Sequence, residues 1–316
     1  MTQTPIDITV SVVSYNTRDL LRECLLSLQA RSEEASLEIV VVDNGSRDHS
    51  VEMVRREFPQ VLVIESHANL GYGRANNLGL SKARGEFVWI LNSDTTVEAG
   101  TARSMLNWMR EHPECGMIGS RLILPDGSTQ PSCADDPSLW AILFEQLYLD
   151  KLLPGNRITG FYAMTHWDYK EPRSVPQVCG ASMMVRSQAW QETGGFDERF
   201  FMYFEDTDLC LRVRQAGWKV WYLPQAGVQH HLGASSGGSW KVRARMVASY
   251  NHSRLIFFAA RSGARLAQQL RQLFLLGAAL RLAAWTVVYI VRPRRSNLDQ
   301  ILLFREVLRR TARARF

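Results

Sequence analysis

The chain has 316 residues, 46% hydrophobic and 22% charged, with a formal net charge of +6. That composition fills a sizeable core and excludes a disordered chain, and the length suits one large domain or a domain with an appendage. Five scattered cysteines without any C-x-x-C spacing argue against a disulfide framework or structural zinc, and Met1–Asp7 holds no basic, apolar leader, so a reducing, non-exported setting is expected.

Ile8–Val13 is a β-branched run that reads as a buried strand opening into Ser14-Tyr15-Asn16. Arg18–Gln29 has helical spacing, with Leu20, Leu21, Leu25 and Leu28 on one face and Asn16 or Thr17 as N-cap. Strand Leu37–Val42 stops at Asp43-Asn44-Gly45-Ser46. Helix Ser50–Phe58, strand Val61–Glu65, a Gly/Asn-rich loop Asn69–Gly73, helix Ala75–Ala83 and strand Phe87–Leu91 follow. This β-α-β-α-β-α-β order predicts an α/β fold, a parallel sheet with both faces covered by helices. Ligands of such sheets sit beyond the carboxyl ends of the strands, and those ends carry Asn16, Asp43, Asn69 and Asn92-Ser93-Asp94. Leu122–Pro176 is irregular and aromatic, and reads as a lid, an acceptor wall or a peripheral packing layer.

Five motifs carry chemistry. Asp43 at a strand end suits hydrogen bonds from a nucleobase imide or ribose, with Gly45 admitting close backbone approach; a plain turn uses the same residues. Asn69-Leu70-Gly71-Tyr72-Gly73-Arg74 resembles a phosphate-cradling loop, with Arg74 as a phosphate partner, although Asn76 replaces the third glycine of a dinucleotide fingerprint. No P-loop is present. Asp94 ends an apolar strand, as a ligand of Mg²⁺ or Mn²⁺ on a diphosphate would. Glu205-Asp206 follow Phe200, Phe201, Tyr203 and Phe204, an aromatic wall that favours a raised carboxylate pKa and general-base chemistry; an acidic helix start is the plainer alternative. His230-His231, on a loop after strand-like Val220–Leu223, offers an imidazole metal ligand.

Together SVVSYN (Ser11–Asn16), VVDNGS (Val41–Ser46), NLGYGRANN (Asn69–Asn77), LNSD (Leu91–Asp94), GGFDERFFMYFEDTDLCLR (Gly194–Arg212) and HHLGASS (His230–Ser236) resemble the family-2 glycosyltransferases of the GT-A fold, and particularly their rhamnosyltransferase-like branch. The resemblance implies a 1–240 GT-A domain, with a nucleotide-sugar half over about 1–120 and an acceptor half over about 121–240. It implies donor contacts from Ser14, Tyr15, Asn16, Asp43, Asn69, Gly71, Arg74, Asn77, Asn92, Ser93 and Gly180. Asp94 and His230, with His231 as alternate, would hold Mg²⁺ or Mn²⁺; Asp206 would be the base and Glu205 an acceptor contact. Asn92 stands where the family's first metal-site Asp is usual, leaving one acidic ligand. The implied reaction is inverting transfer of a sugar, rhamnose from dTDP-rhamnose in this branch, to a polyprenyl-linked or polysaccharide acceptor. The alternative is a catalytically weak sugar-nucleotide-binding or scaffold protein of the same fold.

From Lys241 onward the chain holds 16 Lys and Arg against 2 Asp and Glu, whereas the first 240 residues hold 21 against 29. A basic helical tail, 241–316, therefore meets a polyanionic surface. Leu273–Val291 is apolar except for Arg281, and arginines flank it on both sides. That pattern favours an in-plane helix on an anionic membrane over a span or a helix packed on the body, and Ile301–Leu308 extends it. Nucleic acid is not an expected partner, because the tail is too apolar. The expected location is cytoplasmic and peripheral, on the inner membrane face. Nothing in the sequence sets the oligomeric state.

Overall fold

The computed structural model describes residues 5–153, 156, 158, 160–164, 166–231 and 239–316. Its strands are β1 (Ile8–Ser14), β2 (Leu37–Asp43), β3 (Leu62–Glu65), β4 (Phe87–Asn92), β5 (Thr95–Val97), β6 (Cys115–Ile123), β7 (Cys133–Ala134), β8 (Arg173–Ser174), β9 (Gln177–Val178), β10 (Ser182–Arg186) and β11 (Lys219–His230). In the body the helices are α1 (Arg18–Gln29), α2 (Ser50–Glu57), α3 (Tyr72–Leu80), α4 (Thr101–Glu111), α5 (Leu139–Gln146), α6 (Leu149–Leu152), α7 (Ser187–Thr193) and α8 (Glu205–Gln215). The tail adds α9 (Trp240–Ser262), α10 (Ala264–Val291) and α11 (Arg295–Arg313).

One mixed sheet runs β3-β2-β1-β4-β10-β6-β11-β5, with β8 beside β11, while β7 and β9 pair apart from it. The half β3-β2-β1-β4 is parallel, and β10 enters antiparallel between β4 and β6. Side chains alternate along β4, so Phe87, Trp89 and Leu91 join the core under α1, α2 and α4. Val88 and Ile90 join the core under α3, α7 and α8. Both faces are covered, as the apolar strands predict. Register sets Ser14 level with Asp43, and Val13 level with Asn92. The polar strand ends therefore share one edge, beside the point where strand order reverses about β1.

The structure corrects several expectations. Helix α3 starts at Tyr72 rather than Ala75, because Gly71 alone makes the turn. Gly71 has φ +86°, and a Cβ there would lie 2.2 Å from the Phe201 carbonyl oxygen. His230 is the last residue of β11 rather than a loop residue, since β11 runs on past a register shift between Leu223 and Gly227 to pair with β5. Residues 232–236 of the HHLGASS motif lie outside the described residues. The Leu122–Pro176 stretch holds two short helices, α5 and α6, and two two-residue strands, β7 and β8.

The tail packs on the body. Phe200, Phe204 and Ile142 share a core with Leu255, Phe257, Leu270 and Phe274. The Arg254 guanidinium is buried, bonded to Glu145 and lying 4.1 Å from the Tyr250 ring centroid. Asp208 accepts from Arg212 and from Arg261, each at 2.6 Å, which ties α8 to α9.

A Cβ at Gly71 meets both backbone strain and the Phe201 carbonyl. Gly71→Ala is expected to lower stability by at least about 1–3 kcal/mol. Gly127→Ala, at φ +83° with open space around it, isolates the backbone contribution. Urea unfolding of both variants checks this; equal midpoints would show that the Phe201 contact does not matter.

Candidate active site

The end of β2 holds Asp43, which is buried. Its Oδ2 accepts N–H bonds from Gly45 at 3.2 Å and Ser46 at 3.1 Å, while Oδ1 is buried without a protein partner. A buried carboxylate oxygen lacking a donor costs free energy, so Asp43 is built to receive one from a ligand. Beside it, Asn69 Oδ1 accepts from Asn44 and from the Gly71 N–H, which shapes the loop ahead of α3. Ser14, Thr17 and Ser93 form a hydroxyl chain across the ends of β1 and β4, at 3.0 and 2.8 Å. Thr17 occupies the N-cap of α1 but spends its hydroxyl on this chain, not on the helix.

Other predicted donor residues take different places. Asn16, at φ +54°, accepts from the Arg47 N–H and gives its own N–H to Ser46, pinning two loops together. Tyr15 is exposed next to it. Asn77 is committed through both ends of its amide to the Phe196 backbone, and Arg74 pairs with Glu198 at the surface. Both brace the segment before α8. The Gly180 N–H donates to Asp206 Oδ2, 3.0 Å away.

At the end of β4, Asp94 Oδ1 lies 3.5 Å from His230 Nε2, and both side chains are largely buried. His230 Nδ1 lies 2.9 Å from Gln130 Oε1, a carbonyl that can only accept. The proton thus belongs on Nδ1, and Nε2 turns its lone pair toward Asp94. A carboxylate and an oriented imidazole facing one point fit a divalent cation, with Gln130 fixing the tautomer from behind. His231 instead faces Thr96 at 3.4 Å. Asn92 ends β4 alongside, and no third His, Cys, Asp or Glu joins the pair among the described residues.

Helix α8 begins with Glu205 and Asp206. Phe204 precedes them in the left-handed region at φ +67°, which turns both carboxylates inward. Burial raises the Asp206 carboxyl above its ordinary value, against opposing N–H bonds from Gly180 and from Thr207 at 2.8 Å. Burial, and then the charge of Asp206, hold Glu205 well above the usual range, and its Oε2 has no partner. Tyr72 reinforces the arrangement: its hydroxyl, kept neutral by burial, donates to the Gly180 carbonyl at 2.7 Å. Asp206 opens on a cavity of about 250 Å³ bounded by Tyr162, Gln177, Cys179 and Tyr250. Tyr72 lay within a recognised motif, but Gln130, Tyr162 and Tyr250 stand in no local pattern.

The sequence pattern of Glycosyl transferase family 2 matches residues 9–166, and that described as the N-terminal domain of galactosyltransferase matches residues 160–232. An N-acetylglucosaminyl-diphospho-decaprenol L-rhamnosyltransferase of Mycobacterium tuberculosis is 33% identical over 264 residues, which cover 80% of this chain and 84% of that protein. Among solved structures, GalNAc-T7 with UDP, GalNAc and Mn²⁺ superposes with TM-score 0.56 at 16% identity, over 84% of this chain and 52% of that one. A Pyrobaculum calidifontis mannosyltransferase in complex with GDP-Man and Mn²⁺ gives 0.54 at 17% identity, over 99% and 89%. The fold is GT-A. On its sequence, this chain belongs to glycosyltransferase family 2 and is a rhamnosyltransferase-like enzyme of that family.

Proposed function

We propose that the protein transfers L-rhamnose from dTDP-rhamnose, with inversion, to a hydroxyl of a polyprenyl-diphosphate-linked saccharide. The observation that carries this reading is Asp206, a carboxylate with raised pKa, held by two N–H groups at the mouth of a cavity, in a chain whose Asp94 and His230 face each other at 3.5 Å. Asp43 Oδ1 would accept the imide N–H of the thymine ring. Asp206 takes the acceptor hydroxyl proton as that oxygen attacks the anomeric carbon, and the carbon–oxygen bond to the diphosphate breaks with its electron pair leaving on the nucleotide. Glu205, held neutral, can donate to the acceptor. Asp94 and His230 would hold Mg²⁺ or Mn²⁺, which neutralises the departing diphosphate. The similarity to a mycobacterial rhamnosyltransferase supports the donor and the lipid-linked acceptor.

Nucleotide release from dTDP-, UDP- and GDP-sugars, with a lipid-linked acceptor present, tests the donor; dTDP-rhamnose alone should react. Asp206→Asn should lose about 10²–10⁴-fold in kcat while still binding nucleotide. A tenth of wild-type activity in that variant would remove Asp206 as base. Because Asp206 works only when ionised, kcat/KM should fall as pH drops through its raised pKa. The acid limb then lies above the ordinary 3.8 of an aspartate; a limb at or below that value would contradict the assignment.

Chelation should abolish transfer, with Mn²⁺ or Mg²⁺ restoring it. Asp94→Ala and His230→Ala should each raise the metal concentration needed for half activity by about tenfold or more, as loss of a ligand does, whereas His231→Ala should not. Full activity in EDTA would sink the metal site.

We also propose that the enzyme works on the inner membrane face, through α10. Arg281 on this helix bonds Gln146 and Tyr148 of the body, so its charge points inward. The opposite face leaves Leu276, Leu280, Val287 and Val291 58–71% exposed at helical spacing. A helix packed along one side and apolar along the other suits the membrane plane better than a span. Leu280→Glu with Val287→Glu should abolish sedimentation with anionic vesicles; unchanged sedimentation would refute the contact.

A further inference from the structure

A hollow of about 520 Å³ lies between α9 and α11, and its lining is basic: Arg245, His252, Arg309, Arg310 and Arg313, with Ser249 among them. Arg309 and Arg310 share one carboxylate, Glu306. Arg245 and Arg313 have no acidic partner among the described residues, so four guanidinium groups face one acid. Such a surplus in one concavity attracts a multiply charged anion, and guanidinium forks match phosphate oxygens.

The hollow also adjoins the catalytic centre. Phe201 forms part of its wall, and the Phe201 carbonyl accepts the Tyr72 N–H at 2.9 Å. The hydroxyl of the same Tyr72 bonds the Gly180 carbonyl, and the Gly180 N–H holds Asp206. One tyrosine thus spans the interval from the wall of the hollow to the base. None of Asp43, Asp94 and His230 lines the hollow, which sets it apart from the donor's diphosphate.

We infer that this hollow seats the diphosphate of a polyprenyl-linked acceptor, so that the tail anchors the acceptor by charge while its sugar hydroxyl reaches Asp206. The anion is read from the arginines; its being the acceptor's rests on the transferase reading. Arg245 and Arg313 are exposed, so replacing them empties no core.

The test uses the full-length protein in detergent, with Arg245→Gln/Arg313→Gln beside Arg245→Lys/Arg313→Lys. Binding of farnesyl diphosphate, followed by tryptophan fluorescence, should weaken about tenfold or more in the Gln pair and much less in the Lys pair. Farnesol and dTDP should bind all three proteins alike. This arm needs no turnover, so it stands or falls apart from the transferase reading. In the kinetic arm, the Gln pair should raise KM for a diphosphate-linked acceptor with kcat retained, and leave an uncharged alkyl glycoside of the same sugar unaffected. Equal loss on both acceptors, or unchanged farnesyl diphosphate affinity, overturns the inference. Loss of phosphatidylglycerol-vesicle binding alone overturns it too, and makes the hollow a phospholipid headgroup site. Weakening by free inorganic diphosphate as strongly as by farnesyl diphosphate would reduce it to a site for soluble diphosphate.

Discussion

Two consecutive carboxylates open α8 inside the protein, and burying them costs free energy that the surroundings return unequally. Asp206 has an N–H on each oxygen, from Gly180 and Thr207, whereas Glu205 Oε2 has none. The positive end of the α8 dipole favours negative charge at both. With Asp206 ionised, its field adds to burial in raising the Glu205 carboxyl well above its ordinary range. The pair divides one charge between two environments, the arrangement by which neighbouring carboxyl groups acquire opposite acid–base roles. Since both folded-state values are raised, each group weakens the fold as pH climbs from its unfolded value through its folded one. Strain at Tyr203 and Phe204, both at positive φ, accompanies that cost.

The rest of the body holds this pair in place. Gly180 lies against the pair: a Cβ there would sit 3.4 Å from the Asp206 Cβ and from the Tyr72 ring. Tyr72 fixes the Gly180 carbonyl at one end and the Phe201 carbonyl at the other. Behind α8, Asp208 carries Arg212 and Arg261. Ser253 of α9 donates to the Met202 carbonyl, so the aromatic segment before the carboxylates is pinned from the tail as well. Tyr250, from the same helix, closes the cavity that Asp206 faces. The tail is therefore part of the site's wall.

What the sequence discloses about this site follows from where its contacts lie. Each strand of the parallel half is a continuous apolar run ended by a polar residue, so β1 to β4 and the places of Ser14, Asp43 and Asp94 are legible from local pattern. The tautomer of His230 is not, because Gln130 stands 100 residues away in the chain. Gly180 is named by resemblance as a donor contact, and its N–H meets Asp206 across 26 residues. Arg74 looked like a phosphate partner because it follows a glycine loop. The helix begins three residues early, at Tyr72, and Arg74 then points to Glu198. The apolar run around Arg281 reads as one charged membrane segment until Gln146 and Tyr148 show which way the arginine faces.

These differences share a cause. The edge that carries Ser14, Asp43 and Asp94 is assembled from successive βα units, whose strand ends are brought level by parallel pairing and need few long-range contacts. The surroundings of Asp206 are assembled from β7, β9, the start of α8 and the tail, whose meeting depends on packing between distant segments. Changing the tail alters Tyr250, the basic hollow and the apolar face of α10 while leaving the ends of β1, β2 and β4 untouched.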